Sequence, residues 1–135
     1  MRFIDTNILL YRVSTDSAEV AKQRIAESIL GERDLCLSVQ VLQEFYVQAT
    51  RSSRENRLTH REAVGLLDSW KRYPVMEITM HLMEAALVAR ERWKLSYWDC
   101  LILEAARESG SEQILSEDMS DGLDYGGVTV RNPFL

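Results

Sequence analysis

Four carboxylates in this chain stand where an ordinary solvated acid is out of place. Asp5 ends an apolar start and opens Asp5-Thr6-Asn7-Ile8, so an acid, a hydroxyl and an amide occupy the joint with an amphipathic run. Glu44 lies in Val39-Gln-Val-Leu-Gln-Glu-Phe-Tyr46, on the border of a helical face made by Val41, Leu42, Phe45 and Ala49. Asp99 belongs to a stretch that is apolar nearly all round, with Ile102, Leu103 and Ala106 at the i+3, i+4 and i+7 positions. Asp118, in Leu115-Ser116-Glu117-Asp118, follows a short apolar run and so repeats the layout around Asp5. Each has a plainer reading alone. Asp5 can turn or cap the chain, and Glu44 can be a boundary residue with its head in water. Asp99 has the spacing of a capping box with Ser96, and Asp118 can sit in a solvated Ser/Asp/Gly turn.

Taken together they describe a site. Two carboxylates ~5 Å apart repel by ~3 kcal/mol at an effective dielectric near 20, so four close acids need protons or cations between them. A set of oxygen ligands that leaves room for water suits Mg²⁺ or Mn²⁺, and such an ion supports hydrolysis of a phosphodiester. The glycine pattern points the same way. No glycine precedes Gly31, which excludes a phosphate cradle or a dinucleotide fingerprint at the first strand.

The elements that must position these groups are legible from periodicity and caps. Arg2–Asp5 reads as a buried strand, and Asn7–Tyr11 starts a helix. Asp16-Ser-Ala-Glu19 predicts a capping box opening a helix to about Gly31. Strands follow at Leu35–Ser38, Val75–Ile78 and Gln113–Leu115, with a last one at Val128–Val130. Helices are expected at Val39–Thr50, after the capping box Thr59-His-Arg-Glu62, after Thr79 and after Ser96. Short strands alternating with helices give an α/β domain with a mainly parallel sheet covered on both faces. In such sheets ligands collect at the carboxyl ends of the strands, where Asp5 and Asp118 fall.

With 135 residues, 46% of them hydrophobic, the chain suits a single domain over residues 1–135. Its net charge of −5 does not suit a general nucleic-acid coat. Cys36 and Cys100 lie far apart without metal-ligand spacing, so reduced thiols and a cytoplasmic location are expected. There is no secretory pattern and no apolar run near the ~20 residues of a membrane span.

The separate pieces Ile4-Asp-Thr-Asn-Ile-Leu-Leu-Tyr11, Gln43-Glu-Phe45, Trp98-Asp-Cys-Leu-Ile102, Leu115-Ser-Glu-Asp118 and Val130-Arg-Asn-Pro-Phe134 occur in a telling order. Across nearly the whole length the chain resembles PIN-domain ribonucleases, and among them the VapC toxins of toxin–antitoxin pairs. The resemblance implies a three-layer α/β/α sandwich and an endoribonuclease that uses Mg²⁺ or Mn²⁺. It makes Asp5, Glu44, Asp99 and Asp118 the metal-binding catalytic acids and gives Ser116 the orienting hydroxyl. Asn7 becomes a support for the first acid, and Asp121 an additional outer acid. It also implies RNA as substrate, a homodimer and inhibition by a VapB-like antitoxin.

Basic residues outnumber acidic ones between Arg51 and Arg72, whereas acids dominate from Glu104 to Asp124. Arg51, Arg54 and Arg57 are therefore candidate RNA contacts that steer phosphates towards an acidic cleft, although a solvated helix start has the same composition. Tyr97 and Trp98 flank Asp99 and can stack on an unpaired base; their spacing favours a place in the core. Two rivals share parts of this pattern. One is a processing or decay nuclease of the same fold with no antitoxin. The other is a Mg²⁺-binding phospho-receiver module, which wants an acceptor Asp where Val75-Met-Glu77 offers only a glutamate, and a lysine later than Lys94.

Overall fold

Residues Arg2–Ile4 form the central strand, β1, and the computed structural model describes residues 1–135 around it. Phe3 and Ile4 are fully buried, as a strand paired on both edges and covered on both faces requires. The other strands are β2 (Leu35–Ser38), β3 (Val75–Met76), β4 (Gln113–Leu115) and β5 (Thr129–Arg131). They pair in the order β3-β2-β1-β4-β5, every pair parallel.

Six helices connect them: α1 (Thr6–Arg12), α2 (Val20–Leu30), α3 (Val39–Thr50), α4 (His60–Trp70), α5 (Met80–Trp93) and α6 (Tyr97–Glu108). From β1 to β3 the chain moves one way along the sheet; it then crosses back to place β4 and β5 on the far side of β1. Because parallel crossovers are right-handed, this reversal sends α1–α4 to one face and α5–α6 to the other. The packing agrees: α1 meets α2 and α3, α3 meets α4, and α5 pairs with α6, which rests on β2 and β4. The result is an α/β/α sandwich. The strand order reverses between β1 and β4, and their carboxyl ends border the crevice where ligands bind in such sheets.

Most helix starts follow the expected caps. Thr79 and Ser96 each accept a hydrogen bond from the third helical N–H, and Thr59 with Glu62 closes a complete capping box; Ser38, the end of the second strand and not among the expected caps, caps α3 in the same way. The box at Asp16 does not form. Asp16 instead caps a short 3₁₀ turn, Ser17–Glu19, and α2 begins only at Val20. Ser14 is the reason: its hydroxyl accepts from the Asp16 N–H at 3.2 Å and donates to Glu19 at 2.6 Å, standing between the two halves of the box. The third strand is also shorter than expected, two residues at the sheet edge, and the last one starts at Thr129. Cys36 and Cys100 are buried free thiols. No helix is long and apolar enough to cross a membrane.

Candidate active site

Asp5 follows β1 directly, and its N–H donates to the Leu115 carbonyl of β4 at 3.0 Å, so the two strand ends are locked side by side. It holds the N-cap position of α1 but does not bond the N2 or N3 amide as a cap ordinarily would. One carboxylate oxygen accepts from the Thr6 N–H at 2.7 Å; the other accepts from the Ser116 hydroxyl, also at 2.7 Å. The side chain is almost fully buried. Burial raises its pKa to about 6, against the Ser116 and Thr6 hydrogen bonds, and the charges of Asp118 and Glu44 push it up further.

The remaining acids arrive from three directions. Glu44, half-buried on α3, has both oxygens engaged: Oε2 accepts from the Thr6 hydroxyl at 2.7 Å and Oε1 from the Gln40 amide at 3.0 Å. Asp99 stands in the first turn of α6, where the helix dipole favours negative charge. Its N–H donates to the Ser96 hydroxyl, which is one half of a capping box, but its carboxylate does not bond back to the cap backbone. Desolvation raises its pKa; the Ser96 hydroxyl opposes this, and Asp118 and Glu44 add to the rise. Asp118 is exposed at the rim, just beyond β4. Both Asp5 and Asp99 thus feel Asp118 and Glu44, and all four acids line one pocket of about 110 Å³.

Ser116 is fully buried and organises the loop beyond β4. While donating to Asp5 it accepts from the amides of Asp118 (3.1 Å) and Met119 (3.4 Å). Asn7 has a different partner from the one expected: it forms no hydrogen bond to Asp5. Its amide donates to Asp118 at 3.2 Å and to Ser116 at 3.4 Å, and its carbonyl accepts from the Glu117 N–H at 3.3 Å. Asp121 lies outside the pocket, accepting from the Asn132 N–H at 2.8 Å, where it ties the loop to the C-terminal turn. Arg51 and Arg57 are exposed. Arg54 lines a neighbouring groove of about 250 Å³ that shares Asn7, Leu10, Gln48 and Asp118 with the acid pocket. Trp98 departs from the core placement that its spacing favours: it is 63% exposed at the pocket, with Tyr97 edge-on to it at 5.1 Å.

Thr6, Gln40 and Gln48 also line the pocket, although their residue types carry no catalytic signature. Gln40 and Glu44 are four apart on one helix, the spacing of mutual contact, and that was the only sequence signal for the pair. Larger hollows exist, including an apolar groove of about 540 Å³ between α3 and α4. Chemistry distinguishes the small pocket: it gathers four carboxylates and its lining contains no lysine or arginine. No three of these acids converge tightly enough to enclose a bare ion. A hard cation that keeps part of its water shell, as Mg²⁺ does, fits this spread of oxygen donors.

The sequence pattern of the PIN domain matches residues 2–120, and the chain belongs to the PIN domain family. No curated protein sequence matches it. Among solved structures, it resembles a toxin–antitoxin complex from Klebsiella pneumoniae, with a TM-score of 0.72 at 20% identity over 98% of both chains. It also resembles VapC20 of Mycobacterium tuberculosis, a toxin that cleaves the sarcin-ricin loop (TM-score 0.64, 19% identity, 87% of this chain and 92% of that one). A third match is VapBC2 of Rickettsia felis bound to a promoter DNA fragment (TM-score 0.66, 14% identity, 97% of each chain). At these identities the likeness establishes the fold.

Proposed function

We propose that this chain is a single-domain, Mg²⁺- or Mn²⁺-dependent endoribonuclease of the VapC type, acting in the cytoplasm as the toxin of a toxin–antitoxin pair. One observation carries the reading: carboxylates from both helical layers and from both sides of the β1/β4 joint line one pocket without a cationic partner. The PIN family membership supplies the nuclease context.

In this reading Asp5, Glu44, Asp99 and Asp118 hold the divalent ion. When bound, the ion supplies Lewis acidity to activate water and offset charge on the scissile phosphate. Ser116 fixes the rotamer of Asp5 through its donated hydrogen bond, and Asn7 holds Asp118 over the pocket. Arg54 draws the RNA backbone into the adjoining groove, with Arg51 and Arg57 adding attraction from the flank. Trp98 offers an exposed face to an unpaired base. Asp121 acts indirectly, by anchoring the loop that carries Asp118.

Two surfaces favour partners. Met80, Leu87 and Val88 are exposed apolar residues on α5, 68%, 53% and 71% accessible, on a face they share with the exposed acids Glu84 and Glu91, and this mixed face suits a homodimer. The groove lined by Val39, Leu42, Tyr46, Val47, Val64 and Leu67 suits an apolar helix of a VapB-like antitoxin. The reading is tested by inducing expression in cells and mapping the RNA ends that accumulate. New, discrete ends with the wild type and none with Asp99→Asn are expected. Identical RNA profiles for the two would contradict it.

A further inference from the structure

Gln40 is the second residue of α3 and only 5% exposed, a position where a polar side chain needs a purpose. Its Nε2 donates to Glu44 Oε1 at 3.0 Å and to the Trp98 carbonyl at 3.3 Å. Both partners are pure acceptors, so the hydrogen-bond network fixes which end of the amide is nitrogen. The opposite end, Oε1, accepts no hydrogen bond from the protein. No fully buried polar side-chain atom lacks a partner, so this oxygen keeps some contact with solvent, and Gln40 lines the acid pocket.

We infer that Gln40 is a positioning residue of the metal pocket, an inference that rests on the metal-dependent reading above. Its NH₂ group fastens Glu44 on α3 to the first turn of α6, beside Asp99, and so spans the two helical layers that contribute acids. Its carbonyl oxygen is left without a protein donor and so stays free to accept from solvent. Glutamate could offer the acceptor, but it would lose the NH₂ donors and put another negative charge beside Glu44. Glutamine combines acceptor and donor without that charge.

The test is Mn²⁺ binding to the intact protein, read from the resonance of free Mn²⁺, together with thermal melting of the metal-free protein. Gln40→Leu and Gln40→Met remove the amide with little change in size. Both are expected to weaken Mn²⁺ binding by ~10- to 100-fold, the usual cost of losing a group that orients metal ligands. Their melting temperatures should stay close to wild type, and RNA cleavage should recover most of its rate when Mn²⁺ is raised to saturation. Mn²⁺ affinity within twofold of wild type in either variant would overturn the inference. So would a large fall in melting temperature in both, because the amide would then be serving the fold. Wild-type protein that binds no Mn²⁺ would remove the metal-dependent reading itself.

Discussion

Asp5 and Ser116 are 111 positions apart in the chain and 2.7 Å apart in the fold, hydroxyl to carboxylate, across the joint between β1 and β4. That contact joins the start of the chain to the loop bearing Asp118, at the point where the strand order turns back. The pocket depends on it. Asp5 contributes the most buried of the four carboxylates, and Ser116 shapes the turn that brings in the most exposed one.

The buried Asp5 should make the metal-free protein sensitive to pH. Its folded pKa, about 6, lies above its ordinary value of 3.8, so the native state holds the proton more tightly than the unfolded chain does. Stability is therefore lost as pH rises from about 4 to about 6. The full effect is ~3 kcal/mol, from about two pKa units at 1.36 kcal/mol each. The informative quantity is the difference between wild type and Asp5→Asn. Urea unfolding without divalent ions should show Asp5→Asn gaining on wild type as pH rises through that window, with the difference narrowing when Mg²⁺ is added at pH 7. A pH-independent difference would show that Asp5 carries no such penalty.

Lys22 is expected to affect activity from outside the pocket. It forms an ion pair with Glu117, and its ammonium lies over the rings of Tyr11 and Phe134, at 4.9 and 5.9 Å. Tyr11 donates to the other oxygen of Glu117. Glu117 sits between Ser116 and Asp118, so this clamp ties its carboxylate to Lys22 and Tyr11 and anchors the loop that carries Asp118. Lys22→Ala should reduce RNA cleavage by ~10-fold at limiting Mg²⁺ with little change in melting, and Lys22→Arg should restore most of it. Unchanged cleavage by Lys22→Ala would show that Asn7 and Ser116 hold the loop unaided.

Arg54 is the basic residue that borders the cleft, and its contribution should lie in binding. Replacement by alanine is expected to raise KM several-fold, leave kcat nearly unchanged and reduce the salt slope of RNA binding by about one. Arg51→Ala and Arg57→Ala, on exposed parts of the loop, should have smaller effects. A fall in kcat with KM unchanged would move Arg54 from substrate capture to the chemistry.

What could be read from the sequence, and what could not, follows from the range of each interaction. Helix starts set by a local cap were legible, as at Thr59, Thr79 and Ser96. The Asp16 box failed because a third local group, Ser14, intercepts its bonds, and spacing between two residues does not reveal a competitor. Trp98 looked like core on a helix that is apolar nearly all round, yet it stands in the first turn, at the pocket, where that helix reaches solvent. The gathering of the four acids was suggested by strand ends and helix faces. The roles of Thr6 and Gln40 were not, because both depend on α1, α3 and α6 meeting at one point, which no local pattern records.

The four acids are proposed to bind a divalent ion that enables RNA cleavage. The most direct test of this is cleavage of a labelled structured RNA by purified protein with Mg²⁺ or Mn²⁺, with and without chelator, for wild type, Asp5→Asn and Asp99→Asn. Cleavage by wild type that stops with chelator, returns with excess metal and falls at least 100-fold in both variants is the predicted result, as expected when a charged group that stabilises the transition state is removed. Cleavage that persists in chelator, or survives both substitutions undiminished, would contradict the account.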